Sequence, residues 1–477
     1  MRKGRIFLFL VLGSFAIASL LFFRQQIASK QPDGTSDLKV VEQLYSLIQE
    51  KSVYDTKNEA LVEGALRGMA SSIKDPYSTY YTKSEAALHK ASLAGEKVGI
   101  GVEIAEKNGK FIVISPVKSS PAERAGIRPL DEIVQINDVR LDGKTMGDVM
   151  QLIQGKEGQE VALVLYRPSL ERHIKVSVKR EAMKNKTVEA SVLKVEDTSI
   201  GYITITLFAE DTAEQWVNAM SQLLGQDIKG VIIDVRDNPG GYLHSVAAII
   251  STMEKKQKTF AYMQDGDGAM NALKTENLKG TEKLQEAFSK LPIVVIQNEG
   301  SASASEVFSG AIQSWEKGTI IGTKSFGKGT VQESWTLTNG GQLKLSTNKW
   351  LTPNKEWIHQ KGIQPDVESK QHILYTVELL PLSGHFEVGD FSEEISYTQK
   401  ILHALGYHIV RQDGYFDEKT ADAVSLFRER HDLFEGTHLD ELFFEKMQAE
   451  VLLYKEKNEN DLQLQMGISF IMHEVHS

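Results

Sequence analysis

A serine and a lysine 25 positions apart have the residue types that nucleophilic catalysis requires. Ser303 lies in residues 298–306 (NEGSASASE), after the apolar run 291–296 that predicts a buried strand and before apolar residues at helical spacing. A serine at a strand-to-helix turn faces a helix N-terminus, where neighbouring amides can stabilise a developing oxyanion. Lys328 lies in the glycine-containing segment 324–332 (KSFGKGTVQ). A lysine shielded from water in such a turn can stay neutral and accept the hydroxyl proton.

Each segment also has a simpler interpretation when it is taken alone. Ser303 and Glu306 fit the S-x-x-E pattern of a helix capping box. Lys328 between two glycines fits a solvated lysine in a tight turn. Residues 325–328 also spell the S-x-x-K motif of β-lactamases, but that motif lies on a helix, and its companion strings S-D-N and K-T-G do not occur in this chain. We therefore treat the S-x-x-K match as accidental.

The composition excludes several classes of protein. The chain has 477 residues, enough for about three domains. Its net charge of -10, without a basic domain, argues against a nucleic-acid binder. Cysteine is absent, and the 12 histidines are scattered without metal-ligand spacing. We therefore expect no disulfide, no metal and no cofactor.

The N-terminus carries the pattern of a membrane segment. Arg2, Lys3 and Arg5 precede an uncharged run over residues 6–23, long enough to span roughly 27 Å as a helix. The basic flank favours a cytoplasmic N-terminus, so we expect a single-pass anchor with the catalytic part outside the cytoplasm. The alternative is a signal peptide cleaved near residues 16–18 (AIA), which would release a secreted protein.

The serine and lysine segments resemble two segments of the carboxyl-terminal processing (tail-specific) serine proteases, G-S-A-S-A-S-E and T-F-G-K-G-x-V-Q. The resemblance implies that Ser303 is the nucleophile, Lys328 the general base and Gln332 the orienting partner of the lysine. Ser325 replaces the usual threonine. Some relatives carry an aspartate at the position of Ser314, so no aspartate role transfers to this chain.

A second family segment follows an apolar strand. Residues 236–241 (RDNPGG) resemble the R-x-N-P-G-G motif, which implies an oxyanion hole made by a glycine amide and the amide of Ala304. The choice between Gly240 and Gly241 stays open. The simpler interpretation is a connector between a strand and a helix. His359 is interpreted as structural, because the family uses no catalytic histidine.

Residues 96–180 resemble a PDZ domain, because several of its motifs occur in order. In such a domain a Gly-Ile-Gly loop binds the terminal carboxylate of a peptide, and a strand edge pairs with the peptide. The implied peptide-binding residues are Gly99, Ile100, Gly101, Val102 and Val149. Arg167 ends an apolar strand and could sense occupancy of this site, although most arginines in such places are solvated.

These segments divide the chain into predicted regions of a multidomain α+β protein. The regions are a membrane segment (1–30), an N-terminal helical region (31–95), the PDZ domain (96–180), a crotonase-like α/β serine protease core (181–371) with a cap (about 255–287), a three-helix peptidoglycan-binding-like domain (384–440) and a helical tail (441–477). In relatives the N-terminal helices form dimers, which implies a homodimer. Thr398 and Arg428 depart from the peptidoglycan-binding pattern, so a packing domain that binds no cell wall is the alternative.

We therefore expect a membrane-tethered endopeptidase that recognises the apolar C-termini of protein substrates and processes them outside the cytoplasm. Two other functions are considered. A non-catalytic scaffold would use only the PDZ and wall-binding domains. A crotonase-like lyase or hydratase would act on acyl-CoA, but the export signal argues against such substrates.

Overall fold

The computed structural model describes residues 38–477 except 94–95, 108, 117–119, 129–130, 145, 156, 171, 185, 378 and 381. It divides into two units, residues 38–82 and 83–477. The predicted membrane segment and the alternative signal-cleavage site lie outside the described residues. None of the helices within the described ranges is both long enough and apolar enough to span a membrane.

The first unit is helical, as predicted. Its elements are α1 (Leu38–Lys51), α2 (Asn58–Ser71) and the short strand β1 (Thr79–Tyr81). The guanidinium of Arg67 on α2 lies 5.9 Å from the ring centre of Tyr80 on β1. Helix α1 buries no residue, and Leu38, Leu44 and Leu47 are each about half exposed. The helix therefore presents an apolar surface that is not covered within this unit.

The second unit begins with helix α3 and a small antiparallel domain. The elements are α3 (Lys83–Leu93), β2 (Glu96–Gly99), β3 (Val102–Lys107), β4 (Lys110–Pro116), α4 (Pro121–Arg124), β5 (Glu132–Ile136), β6 (Val139–Arg140), α5 (Met146–Ile153), β7 (Glu160–Arg167), β8 (Arg172–Lys179) and β9 (Glu181–Lys184). The main sheet has the order β3-β4-β5-β7-β8, and β2 pairs with β9. Its interior is one apolar cluster that includes Ile100, Val149 and Leu163.

The central sheet of the predicted core, residues 181–371, is mostly parallel. Its strands are β10 (Val188–Val195), β11 (Thr198–Ile205), β12 (Gly230–Asp234), β15 (Ile293–Gln297), β16 (Thr319–Gly322) and β19 (Val367–Glu368), in that spatial order. Only β10 is antiparallel to its neighbour. Every residue of β12 and β15 is buried. This explains the apolar runs 231–233 and 293–296 within them, because a parallel sheet is covered on both faces.

Helices cover one face of this sheet. They are α6 (Thr212–Leu224), α7 (Leu243–Ser251), α8 (Glu282–Phe288) and α9 (Ala304–Ser314). A second, antiparallel sheet contains the order β14-β13-β18-β17, with β13 (Thr259–Gln264), β14 (Met270–Lys274), β17 (Thr330–Thr336) and β18 (Gln342–Leu351). The segment predicted as a cap, about residues 255–287, therefore folds into a hairpin that pairs with β18 and into α8.

The C-terminal region is helical. Its helices are α10 (Ile373–Thr376), α11 (Glu393–Ala404), α12 (Glu418–Arg430), α13 (Glu441–Glu456) and α14 (Leu462–His476). Helices α10 to α13 share one apolar cluster. Helix α14 instead packs on the mostly parallel sheet, on the face opposite to α7 and α9. The predicted multidomain α+β fold class is confirmed: a helical N-terminal segment, a small antiparallel domain, a mostly parallel α/β core and a helical C-terminal domain.

Candidate active site

The turn between β15 and α9 carries Ser303. The strand is wholly buried, and α9 begins at the next residue, Ala304. Ser303 is half-buried and has a φ of +55°. A non-glycine residue in the left-handed region costs about 1–3 kcal/mol, so the surrounding structure must hold it there. The residue predicted as nucleophile is therefore at a strained strand-to-helix turn.

The buried carboxylate of Glu306 joins the serine segment to the lysine segment. Its Oε2 accepts hydrogen bonds from the main-chain amides of Ser303 and Lys328, each at 2.8 Å. Its Oε1 accepts from the Gly327 amide and the Ser325 hydroxyl, each at 2.6 Å. The amide nitrogens of Ser303 and Lys328 therefore lie within two hydrogen-bond lengths of each other. Burial raises the pKa of Glu306, and the four hydrogen bonds oppose this shift by favouring the carboxylate.

The turn around the half-buried Lys328 is fixed by aromatic side chains. The indole Nε1 of Trp350 donates to the Lys328 carbonyl, and that of Trp357 donates to the Gly329 carbonyl, each at 2.8 Å. The Gly329 amide donates to Nδ1 of His359 at 3.3 Å, and the His359 ring stacks on Trp357. His359 thus supports the lysine turn.

Gln332 lies on β17, the strand that follows the lysine turn. Its side-chain Nε2 donates to the hydroxyls of Thr330 and Ser346, each at 3.0 Å. Alternate residues of a strand share a face, which is why Gln332 meets Thr330. The structure thus fixes the Gln332 amide on this face of the strand, four positions after Lys328.

The turn after β12 is bound to the serine segment through Asn238, which is completely buried. Its side-chain Nδ2 donates to the Ile205 carbonyl at 2.7 Å, and its Oδ1 accepts from the Gly240 amide at 2.9 Å. Its carbonyl accepts from the Ala302 amide at 3.0 Å and from the Ser305 hydroxyl at 2.8 Å. The residues on both sides of the candidate nucleophile are therefore anchored to this turn.

The geometry distinguishes the two glycines of this turn. Gly240 has a φ of +106°, and a Cβ there would lie 2.9 Å from Ser303 Cβ and 2.9 Å from the Ala304 nitrogen. Only glycine allows this approach. The Gly240 amide is occupied by Asn238, whereas the Gly241 amide has no acceptor within the described part of the chain.

A second pair of side chains joins the same two turns. The Asp237 amide donates to Oδ1 of Asn298, and the Asn298 amide group donates to Oδ1 of Asp237, both at 2.9 Å. The Ser301 hydroxyl donates to the Val235 carbonyl at 2.7 Å. None of these residues, nor Asn238, was predicted as a site residue from the sequence. Two signals could have found them: they lie in the quoted segments 236–241 and 298–306, and each follows a buried strand at the carboxyl edge of a parallel sheet.

The predicted peptide-binding residues of the PDZ domain lie together. Gly99 ends β2, Gly101 has a φ of +73°, and Val102 begins β3. Ile100 and Val149 are completely buried, and Val102 packs against the same apolar cluster. The loop and helix α5 therefore meet at one side of the PDZ core.

Arg167 at the end of β7 is buried rather than solvated. Its Nε and one terminal nitrogen donate to the two carboxylate oxygens of Asp131, each at 2.7 Å. The same terminal nitrogen donates to the Gly126 carbonyl at 2.8 Å. Asp131 is itself completely buried, so this is an internal two-pronged ion pair of the PDZ domain.

Four protein-family models match the chain. They are "Peptidase family S41" (residues 199–369), "Activating protease CtpB N-terminal domain" (19–85), "PDZ domain" (112–167) and "Putative peptidoglycan binding domain" (392–434). The S41 match contains Ser303, Lys328 and the turn after β12. The matches follow the order of the regions predicted from the sequence.

Curated relatives match over most of the chain. "Carboxy-terminal processing protease CtpB" of Bacillus subtilis is 36% identical over 92% of this chain and 91% of its own length. "Probable CtpA-like serine protease" of Staphylococcus aureus is 34% identical over 89% of this chain and 83% of its own length. The solved "Photosystem II D1 C-terminal processing protease" is 26% identical, with a TM-score of 0.45 over 69% of this chain and 86% of that one. This chain belongs to the carboxy-terminal processing serine proteases of peptidase family S41.

Proposed function

We propose that this protein is an endopeptidase that uses Ser303 as nucleophile and Lys328 as general base. One observation carries the assignment: the Glu306 carboxylate binds the main-chain amides of both residues through a single oxygen, at 2.8 Å each. Segments 25 positions apart are thereby held side by side at the carboxyl edge of the sheet. A structural cap for α9 alone would need only the Ser303 bond.

The proposed reaction proceeds through an acyl-enzyme. The Ser303 hydroxyl attacks the scissile carbonyl while the neutral amine of Lys328 takes its proton. The protonated lysine gives this proton to the leaving amine as the C–N bond breaks. Lys328 then takes a proton from water, which attacks the ester, and returns the proton to Ser303 as the acyl group leaves. Gln332 is proposed to orient the lysine amine from β17.

The oxyanion is proposed to bind the main-chain amides of Ala304 and Gly241. Ala304 is the first residue of α9, so the helix dipole adds partial positive charge there. Gly240 is excluded as a donor because its amide is already bound to Asn238. Its proposed role is to let the turn approach Ser303 closely. Such preorganised donors typically contribute about 3–4 kcal/mol each to the transition state.

The PDZ domain is proposed to select substrates by their apolar C-termini. The carboxylate would bind at the loop from Gly99 to Val102, and the last side chain would enter the apolar region walled by Val149. We propose that Arg167 links occupancy of this loop to the protease core. Its buried pairing with Asp131 makes it a fixed part of the domain, so any movement must include both partners.

The cellular setting is proposed from the sequence and the family. The basic flank and apolar run of residues 2–23 favour a membrane anchor, with secretion after signal cleavage as the alternative. We propose that the helical unit forms a homodimer through the exposed apolar side of α1. The C-terminal domain is proposed to bind peptidoglycan, which would hold the enzyme near the wall while it carries out regulatory processing of extracytoplasmic substrates.

Mass analysis of a cleaved peptide tests the assignment. An unstructured peptide with an apolar C-terminus is incubated with wild type, Ser303→Ala and Lys328→Ala. We expect cleavage by wild type, and at least about 10³-fold slower cleavage by either variant. A matched peptide with a charged last residue should be cleaved more slowly through a higher KM. Wild-type cleavage by Ser303→Ala would refute the nucleophile assignment.

A further inference from the structure

The C-terminal helix α14 completes the protease core, although the sequence places it beyond the peptidoglycan-binding region. Leu464, Ile468 and Ile471 pack on the face of the parallel sheet opposite to α7 and α9. The apolar sheet residues in this cluster are Ile200, Ile232, Val294, Ile296 and Ile321. A Cβ on Gly467 would lie 3.3 Å from Val294, so the helix lies directly on the strands.

The residue that begins this helix reaches the catalytic edge of the sheet. Asp461 caps α14 by accepting from the Leu464 amide at 2.9 Å. The same carboxylate accepts from both terminal nitrogens of Arg236, at 3.0 and 2.7 Å. Gln463 adds an acceptor for Arg236 at 3.2 Å. Asp461 therefore makes a two-pronged ion pair with a residue 225 positions earlier.

Arg236 belongs to the turn that carries the proposed oxyanion donor. Its Nε and one terminal nitrogen also bind Asp234, the last residue of β12, at 3.0 and 2.6 Å. The guanidinium donors thus lie between two carboxylates whose side chains are about 5% and 7% exposed. Two positions later, Asn238 anchors Gly240 and Ala302. The path from Asp461 to the serine turn therefore consists of hydrogen bonds and the backbone from Arg236 to Asn238.

Arg236 carries one positive charge, and the carboxylates of Asp234 and Asp461 carry two negative charges, so this nearly buried cluster has a net negative charge. The Tyr202 hydroxyl donates to Asp234 at 2.6 Å and partly compensates for it. Asp234 alone would neutralise Arg236, so the fold does not need the charge of Asp461 to satisfy the arginine. The second carboxylate instead fixes the plane of the guanidinium, because a two-pronged pair is directional.

We propose that Asp461 is a positioning residue for catalysis, and that it acts through Arg236 on the turn from Asn238 to Gly241. The inference rests on the proposed oxyanion role of that turn. It makes the last helix part of the catalytic machinery and not only a cover for the sheet. Because the oxyanion forms only in the transition state, loosening the turn lowers kcat and leaves KM nearly unchanged.

The test compares two substitutions of the same chemistry in the full chain. Asp461→Asn keeps a cap acceptor for α14 and removes the charge opposite Arg236. Asp440→Asn is the control, since Asp440 caps α13 and pairs with the buried Arg428 at 2.6 Å, outside the protease core. Peptide cleavage and thermal unfolding are measured for both variants, with wild type and Ser303→Ala alongside.

We expect Asp461→Asn to lower kcat about tenfold with KM unchanged, whereas Asp440→Asn keeps the wild-type kcat. Asp461→Ser, which also caps a helix but carries no carboxylate, should lower kcat at least as much. A wild-type kcat in either folded Asp461 variant overturns the inference, as does an equal loss in Asp440→Asn. Cleavage by Ser303→Ala would instead refute the catalytic assignment itself.

Discussion

Substitution of Glu306 by glutamine tests the central geometry of the site with a minimal change in shape. The wild-type carboxylate accepts four hydrogen bonds and donates none. A glutamine side chain keeps one acceptor oxygen and replaces the other with an NH2 group. If the oxygen faces the amides of Ser303 and Lys328, the NH2 group faces the Gly327 amide. If it is turned around, two main-chain amides lose their acceptor.

The expected loss of stability in Glu306→Gln follows from the hydrogen bonds that the substitution removes. An unpaired buried amide costs about 1–3 kcal/mol. The better of the two glutamine orientations leaves only the Gly327 amide without an acceptor, so it destabilises this part of the site by roughly that amount. Burial of the Glu306 carboxylate is itself unfavourable, as its raised pKa indicates, and its neutralisation recovers part of the loss. The free energy of unfolding should therefore fall by only about 1–2 kcal/mol. The kcat should fall more, about 100-fold, because misplacing reacting groups by about 1 Å has that effect.

The assay combines peptide cleavage with urea unfolding. Glu306→Gln should show a KM within about twofold of wild type, since the substrate is held elsewhere. Glu316→Gln, at an exposed position just after the same helix, is a control with the same substitution and should retain kcat. A Glu306→Gln variant with wild-type kcat would refute the view that this carboxylate aligns Ser303 with Lys328. A loss of folding large enough to abolish the urea transition would contradict the estimated stability cost.

Three further outcomes are expected. Gly240→Ala should lower kcat at least about 100-fold, because the added Cβ would collide with the turn that carries Ser303. Gly266→Ala, whose added Cβ would face open space, should keep the wild-type kcat. Equal kcat values for the two variants would exclude the close approach. Arg167→Ala should destabilise the PDZ domain by about 3–5 kcal/mol by leaving Asp131 buried and unpaired, and Arg167→Lys by less, as urea unfolding would measure. Burial raises the pKa of Glu306, so the folded state binds the proton of this carboxyl group more tightly than the unfolded state does. The free energy of unfolding should therefore fall as the pH rises above 4.5 and the carboxyl group ionises. Urea unfolding of Glu306→Gln over the same pH series should lack this slope.

The local parts of the site could be predicted from the sequence. The apolar run before Ser303 and the helical spacing after it predict a strand and a helix, and these are β15 and α9. The glycines around Lys328 predict a turn, which is found between β16 and β17. Such predictions succeed because strand and helix periodicity depend on neighbouring residues.

The long-range contacts could not be predicted from the sequence. Glu306 was recognised as a possible cap for α9, but nothing in its neighbourhood indicates that it also binds amides 21 and 22 positions later. Asp461 lies still farther from its partner Arg236. Arg167 gave no sign of its burial, because the pattern of β7 does not specify what faces the end of the strand. The periodicity of a strand or helix indicates which of its faces is buried, but it does not indicate which segment of the chain packs against that face.

Two main-chain donors beside the proposed nucleophile have no acceptor in the part of the chain that the structure describes. The φ of +55° at Ser303 is maintained because its own amide is fixed by Glu306 and the preceding Ala302 amide by Asn238. Within the described residues, the amides of Ala304 and Gly241 have no acceptor. Nearly all buried amides in proteins are paired, so the unpaired amide of the buried Ala304, beside a strained serine and the half-buried Gly241, requires an explanation. We infer that the missing acceptor is the carbonyl oxygen of the substrate, and that the strain at Ser303 is maintained to keep both donors free for it.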